Sequence, residues 1–134
     1  MNWKLILPLS MFGLAMGLAT VFVIPSNIEP LFWLVIFVIC AYIIAKQTQK
    51  PFLHGLLLGL ANSVWITAAH ILLFSQYIAT HAREGAMMQT APFSPRIMMA
   101  IVGPVVGLVS GVVIGVLAML ANKVVKPAGG APSA

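Results

Sequence analysis

The chain has no aspartate, two glutamates and one cysteine, and only 7% of its 134 residues are charged. Each shortage removes a class of function. Cys40 alone cannot form an intramolecular disulfide, a CxxC redox pair or a cysteine-rich metal site, and inside an apolar run it reads as a small packing residue. Glu29 and Glu84 fall in polar breaks, so the apolar interiors hold no acid, the usual device for coupling protons or cations across a membrane. No Ser–His–acid set and no His-Glu-x-x-His motif occurs. Ser63 and His70 are too far apart on one helix to act as nucleophile and base. The expectation is a non-enzymatic protein without a cofactor. Charge is also too scarce to coat a soluble domain, which carries about 25% charged residues.

What the chain has is apolar length: 61% of it is hydrophobic. Four blocks are separated by short polar breaks, and the spacing predicts helices over about 5–24, 29–45, 52–79 and 97–121. The blocks are too long and too continuously apolar for barrel strands, which alternate over about ten residues. The first block follows Lys4 like a secretory leader, but it runs on through Val21, Phe22, Val23 and Ile24 without a cleavage site, and reads as a retained helix. The second is short. The third, at about 42 Å if it is one helix, must tilt or project beyond the hydrocarbon layer. The fold class is therefore all-α, an integral membrane four-helix bundle forming one domain over 1–126 with short loops. A flexible tail is expected over 127–134.

The lysines and arginines assign sides. With four crossings, Lys4, Lys46, Lys50, Lys123 and Lys126 share one side, leaving Arg83 and Arg96 on the other with both glutamates. That bias puts both ends of the chain in the cytoplasm, in a cell (inner) membrane. Trp3 and Tyr42 fall near the inner interface and Trp33 near the outer one, as aromatic belts do. The formal charge of +5 is spread between apolar blocks, not clustered, so no nucleic-acid partner is implied. The expected partners are the lipid bilayer and a second copy or another membrane protein.

Glycine carries the strongest regularity. Gly13 and Gly17, Gly55 and Gly59, and Gly103, Gly107, Gly111 and Gly115 recur at four-residue steps, which keep a small-residue ridge on one side of each helix. The long groove on the fourth helix suits either packing inside the chain, against the first or third helix, or a seam between copies. Pro104 within it removes the hydrogen bond to Ala100 and predicts a kink.

Polar intramembrane residues concentrate on the third helix. At 100° per residue, Asn62, Ser63, Thr67, His70, Tyr77 and His81 share with Gly55 and Gly59 an arc of about 140°. The first reading is inter-helix glue, in a packing, accessory or self-associating subunit. The alternative is a small channel or transporter for a small solute or ion using this face, with His70 as a titratable gate. A third is a Cu(I)-type metal site at the outer mouth, with His81, Met87 and Met88 as candidates beside Met98 and Met99, because soft ligands select soft ions. A haem ranks below these, since His70 and His81 would lie about 16 Å apart along one helix.

Overall fold

The computed structural model describes residues 1–125, and the tail expected over 127–134 lies outside them. Among the described residues the chain is all-helical, with no strand: α1 (Trp3–Phe22), α2 (Glu29–Gln47), α3 (Pro51–Leu72), α4 (Phe74–Thr80), α5 (Ala82–Gln89) and α6 (Pro95–Val124). Four of them, α1, α2, α3 and α6, are long and apolar enough to cross a membrane. Prolines mark the starts of α2, α3 and α6, where the missing N–H costs nothing because first-turn donors lack intrahelical partners anyway.

Hydrogen bonds between ends fix the directions. The Asn2 backbone N–H donates to His54 Nε2 at 3.1 Å, tying the start of α1 to the start of α3. Asn122 Nδ2 donates to the Ala45 carbonyl at 2.8 Å, tying the end of α6 to the end of α2 and satisfying one of that helix's orphan carbonyls. Hence α1 runs parallel to α3, α2 runs parallel to α6, and α3 is antiparallel to α6. Lys4, Lys46, Lys50 and Lys123 gather at one end of the molecule, and Glu29, Arg83, Glu84 and Arg96 at the other. We call these the lysine end and the glutamate end.

The third apolar block is not one helix. It breaks at Leu73 (φ −105°, ψ 33°), and α4 folds over the end of α1. No proline or glycine sits there, so the cause is tertiary. The Thr80 hydroxyl donates to the Val21 carbonyl (3.1 Å), and Tyr77 packs on Val21, which is fully buried. A straight continuation of α3 would leave that carbonyl and side chain uncovered. The expected long loop over 80–95 is itself largely α5. By contrast α6 stays helical through Pro104, whose exposed ring points away from the α3 contact made by Gly103 and Gly107.

The core is uneven along the molecule. Towards the lysine end, Cys40, Ile44, Leu58, Ile114 and Ala118 are sealed from solvent and join α2, α3 and α6 tightly. Four of the five buried residues of α2, Cys40, Ala41, Ile44 and Ala45, lie in its second half. In its first half Trp33 and Phe37, with ring centroids 5.6 Å apart, stand between α2 and its neighbours.

Candidate functional site

The polar face of α3 is shared between two neighbours. Its Gly55, Gly59, Ser63 and Thr67 edge meets α6 in register, one contact per turn: Gly55 on Gly115, Gly59 on Gly111, Ser63 on Gly107, Thr67 on Gly103. A Cβ on Gly59 would collide with the Gly111 backbone, and one on Gly115 would sit 2.8 Å from the Phe52 carbonyl. The α6 groove is thus filled by α3 within the chain. Close backbone contact along it is the packing-inside-the-chain reading of this groove, with α3 as the partner helix. Gly13 and Gly17 serve the other edge, against Asn62 and against Ile66 and Ala69.

Facing α1, the polar groups of α3 make ordered links. Trp65 Nε1 donates to Ser10 Oγ at 3.2 Å. The Thr20 hydroxyl donates its single proton to the Met16 carbonyl (2.9 Å), so at 2.8 Å it accepts from His70 Nε2–H. His54 is the residue that sequence reasoning missed. It is 3% exposed, its Nδ1–H donates to the Lys50 carbonyl (2.8 Å), and its Nε2 accepts from Asn2. The available signal was its position four residues after Lys50, within reach of a first-turn carbonyl.

The break at Leu73 also reshapes the arrangement of His70 and His81. His70 stacks on Tyr77 (4.2 Å) and Tyr77 on His81 (4.4 Å), so the two imidazoles flank one phenol instead of lying about 16 Å apart along a straight helix. His81 is 2% exposed; its Nδ1 bonds the Tyr77 carbonyl (3.2 Å), and its Nε2 has no partner among the described residues. Burial pushes the Tyr77 phenol up to about 12, with the negative charges of Glu84 and Glu29 adding to the effect. The chain's two acids therefore converge on the same region. The Ser26 hydroxyl beside Glu84 holds that carboxylate below its usual range.

Two adjoining cavities open where α2 stands off from α3 and α6. The larger, about 520 Å³, lies between Trp33, Leu34 and Phe37 on one wall and Val106, Ser110 and Val113 on the other, with Asn62 and Ser63 at its floor and Glu29 and Ser26 at its mouth. The second, about 330 Å³, shares Glu29, Ser63, Ile66 and Val106 with the first and continues past Thr67 and His70 to Tyr77. Among the described residues, no Lys or Arg lines either cavity.

Asn62 is the anomaly of the site. It is 3% exposed, yet neither Nδ2 nor Oδ1 has a hydrogen-bond partner among the described residues. A buried unsatisfied polar group costs about 1–3 kcal/mol, a large penalty to retain without a use. Its Oδ1 lies against Gly13 of α1, and neither amide atom is reached from the cleft.

The expected polar set is only partly brought together. Asn62, Ser63, Thr67, His70 and Tyr77 border the two cavities, whereas His81 is turned into the ring stack. The metal candidates separate: Met88 lines the second cavity with Met98, Met99 and His70, Met87 is 66% exposed, and His81 lines neither cavity. Among the described residues no three His, Cys, Asp or Glu side chains are grouped to hold a metal ion. No family model, curated protein or solved structure matches the chain.

Proposed function

We propose that the chain is a non-enzymatic integral membrane protein that crosses a cell (inner) membrane four times, with both ends cytoplasmic. Its role in this reading is to hold a small, mainly apolar guest in the cleft between α2, α3 and α6, as an accessory binding subunit. The observation that carries it is the cleft itself, about 520 Å³, walled by Trp33, Leu34, Phe37 and Val113, with Ser63 and Ser110 among them and Glu29 at its mouth. Apolar walls with a few convergent polar groups are what small-molecule sites consist of. The cleft opens sideways between α2 and α6, so a guest can enter from the bilayer. A through pathway is disfavoured because Cys40, Ile44, Leu58, Ile114 and Ala118 are sealed and line neither the cleft nor the cavity of about 440 Å³ between residues 50–53 and 119–123 at the lysine end.

The test is to purify the protein from its own membranes in mild detergent and record its native mass spectrum. A non-covalent guest at one equivalent, lost in Val106→Trp, which fills space shared by the two cavities, with the helical content intact, supports the reading. A bare mass, together with no saturable uptake of any hydrophobic probe in nanodiscs, overturns it. Orientation is checked separately by labelling single cysteines introduced at Gln49 and at Pro92 in a Cys40→Ala background; modification of both from the same side would refute the four-crossing arrangement.

A further inference from the structure

We propose that the guest of the cleft is a lipophilic cation, an ammonium-type centre on an apolar body, seated with its charge against the remaining oxygen of Glu29, beside the Trp33 indole. This deepens the binding reading above and rests on it. The chain carries net charge +5 and only two acids, 55 positions apart in sequence. Both arrive at the cleft: Glu29 borders the two cavities, and Glu84 stands beside Ser26 at the mouth. No basic side chain lines either cavity among the described residues, so nothing there neutralises the carboxylate of Glu29.

The neighbours of Glu29 suit a cation. Trp33 Nε1 donates to Glu29 Oε1 at 3.0 Å, which fixes the carboxylate and leaves its other oxygen for a guest. The same indole and the Phe37 ring border the cleft, and aromatic faces beside a carboxylate are the chemistry that recognises ammonium groups. Below them the walls are mainly apolar, Leu34, Ile66, Val106 and Val113, which suits the apolar body of the guest. The same set disfavours a phospholipid amine head, whose phosphate would find a carboxylate and no cation. Nor does it suit an anion or a plain hydrocarbon, for which Glu29 would be a penalty.

The experiment uses the full chain in phosphatidylcholine nanodiscs, with empty nanodiscs as the partition control. Three probes of similar shape are titrated by equilibrium dialysis: tetraphenylphosphonium, tetraphenylborate and triphenylmethanol. The expected result is one saturable site for the cation, none for the anion, and about tenfold weaker binding of the neutral probe. Glu29→Gln should lower the affinity for the cation about tenfold relative to that for the neutral probe, whereas Trp33→Leu, which also removes a wall of the cleft, should weaken both probes. Thermal melting of both variants by circular dichroism shows that they fold. Equal saturable binding of the three probes would overturn the cation assignment while the binding reading stands. No saturable binding of any probe would overturn both. Displacement of the cation by added phosphatidylethanolamine would overturn the exclusion of phospholipid heads.

Discussion

The lysine half and the glutamate half of this molecule are built from the same helices and differ in what α2 presents to its neighbours. In the lysine half it offers Cys40, Ala41 and Ala45, side chains small enough for α6 and α3 to come close, and every one is at most 2% exposed. In the glutamate half it offers Trp33 and Phe37, whose rings hold α2 away and leave a cleft of about 520 Å³. The α3–α6 contact does not share this change, because glycine meets glycine, serine or threonine at every turn from Gly55 to Thr67. One pair of helices is thus a rigid spine and the third partner a splayed arm. Small residues bring helices together in lipid, and large ones set them apart.

The spine should be the hardest part to alter. Gly111→Ile puts a branched side chain where a bare Cβ already meets the Leu56 carbonyl at 2.5 Å. The expected loss exceeds about 3 kcal/mol, the upper end for overpacking, because backbone and not a flexible side chain must yield. The readout is yield and melting temperature in detergent. Gly85→Ala is the control: its Cβ would touch only Ile78 at 3.4 Å, and its melting temperature should be unchanged. Equal losses in the two variants would break the distinction between spine and periphery.

The arm can be tested by adding the same kind of bulk to each half. Ala41→Leu, at a position 2% exposed, should cost about 2 kcal/mol by prying α2 from the closed half. Leu34→Phe, at 57% exposure on the open half, should cost nothing measurable in the melt. Comparable losses would mean that the two halves are packed alike.

Much of this comparison is legible in the chain. Continuous apolar length marks the four long helices, and four-residue glycine steps mark the helices that meet closely. Which helix fills which groove is not legible, because Gly103–Gly115 accepts α3 or a second copy on identical local chemistry. The break at Leu73 is hidden for a similar reason: Ile71, Leu72, Leu73 and Phe74 are all compatible with a continuing helix, and the bend is imposed by the Val21 carbonyl and Thr80. The polar arc of α3 is visible as a stripe. Its division, with Asn62 and His70 turned towards α1 and Ser63 and Thr67 towards α6, depends on neighbours no local pattern specifies. The cleft itself follows from Trp33 and Phe37, which in sequence alone resemble belt or filler aromatics.

Asn62→Leu separates stability from function within the open half. Leu keeps the γ-branched shape, though it is larger, and has no polar atoms, so the variant should be more stable by about 1 kcal/mol, the cost of one unsatisfied buried group being relieved. The same change should leave guest binding in place, because the amide faces α1 and not the cleft. A destabilised variant would show that the amide is satisfied in the folded protein and that the floor of the cleft is a structural junction.

The smallest effect lies at the mouth, where Ser26 and Glu84 join the α1–α2 turn to α5. The Ser26 hydroxyl holds the Glu84 carboxylate below its usual range, so the folded state binds that proton less readily than the unfolded chain does. The sign follows: this contact contributes above the ordinary carboxylate pKa, and its contribution is lost as pH falls through the lowered folded value. Ser26→Ala should raise the Glu84 pKa, read from its side-chain carboxyl resonance in carbon-13 spectra. Glu84 is largely solvated, so global stability should not change measurably at neutral pH. What should change is local: amide exchange in α5 should speed up in the variant at neutral pH and match the parent at low pH, where the carboxylate is protonated in both. Faster exchange that persists at low pH would mean that Ser26 acts by packing and that the two breaks are not joined through charge.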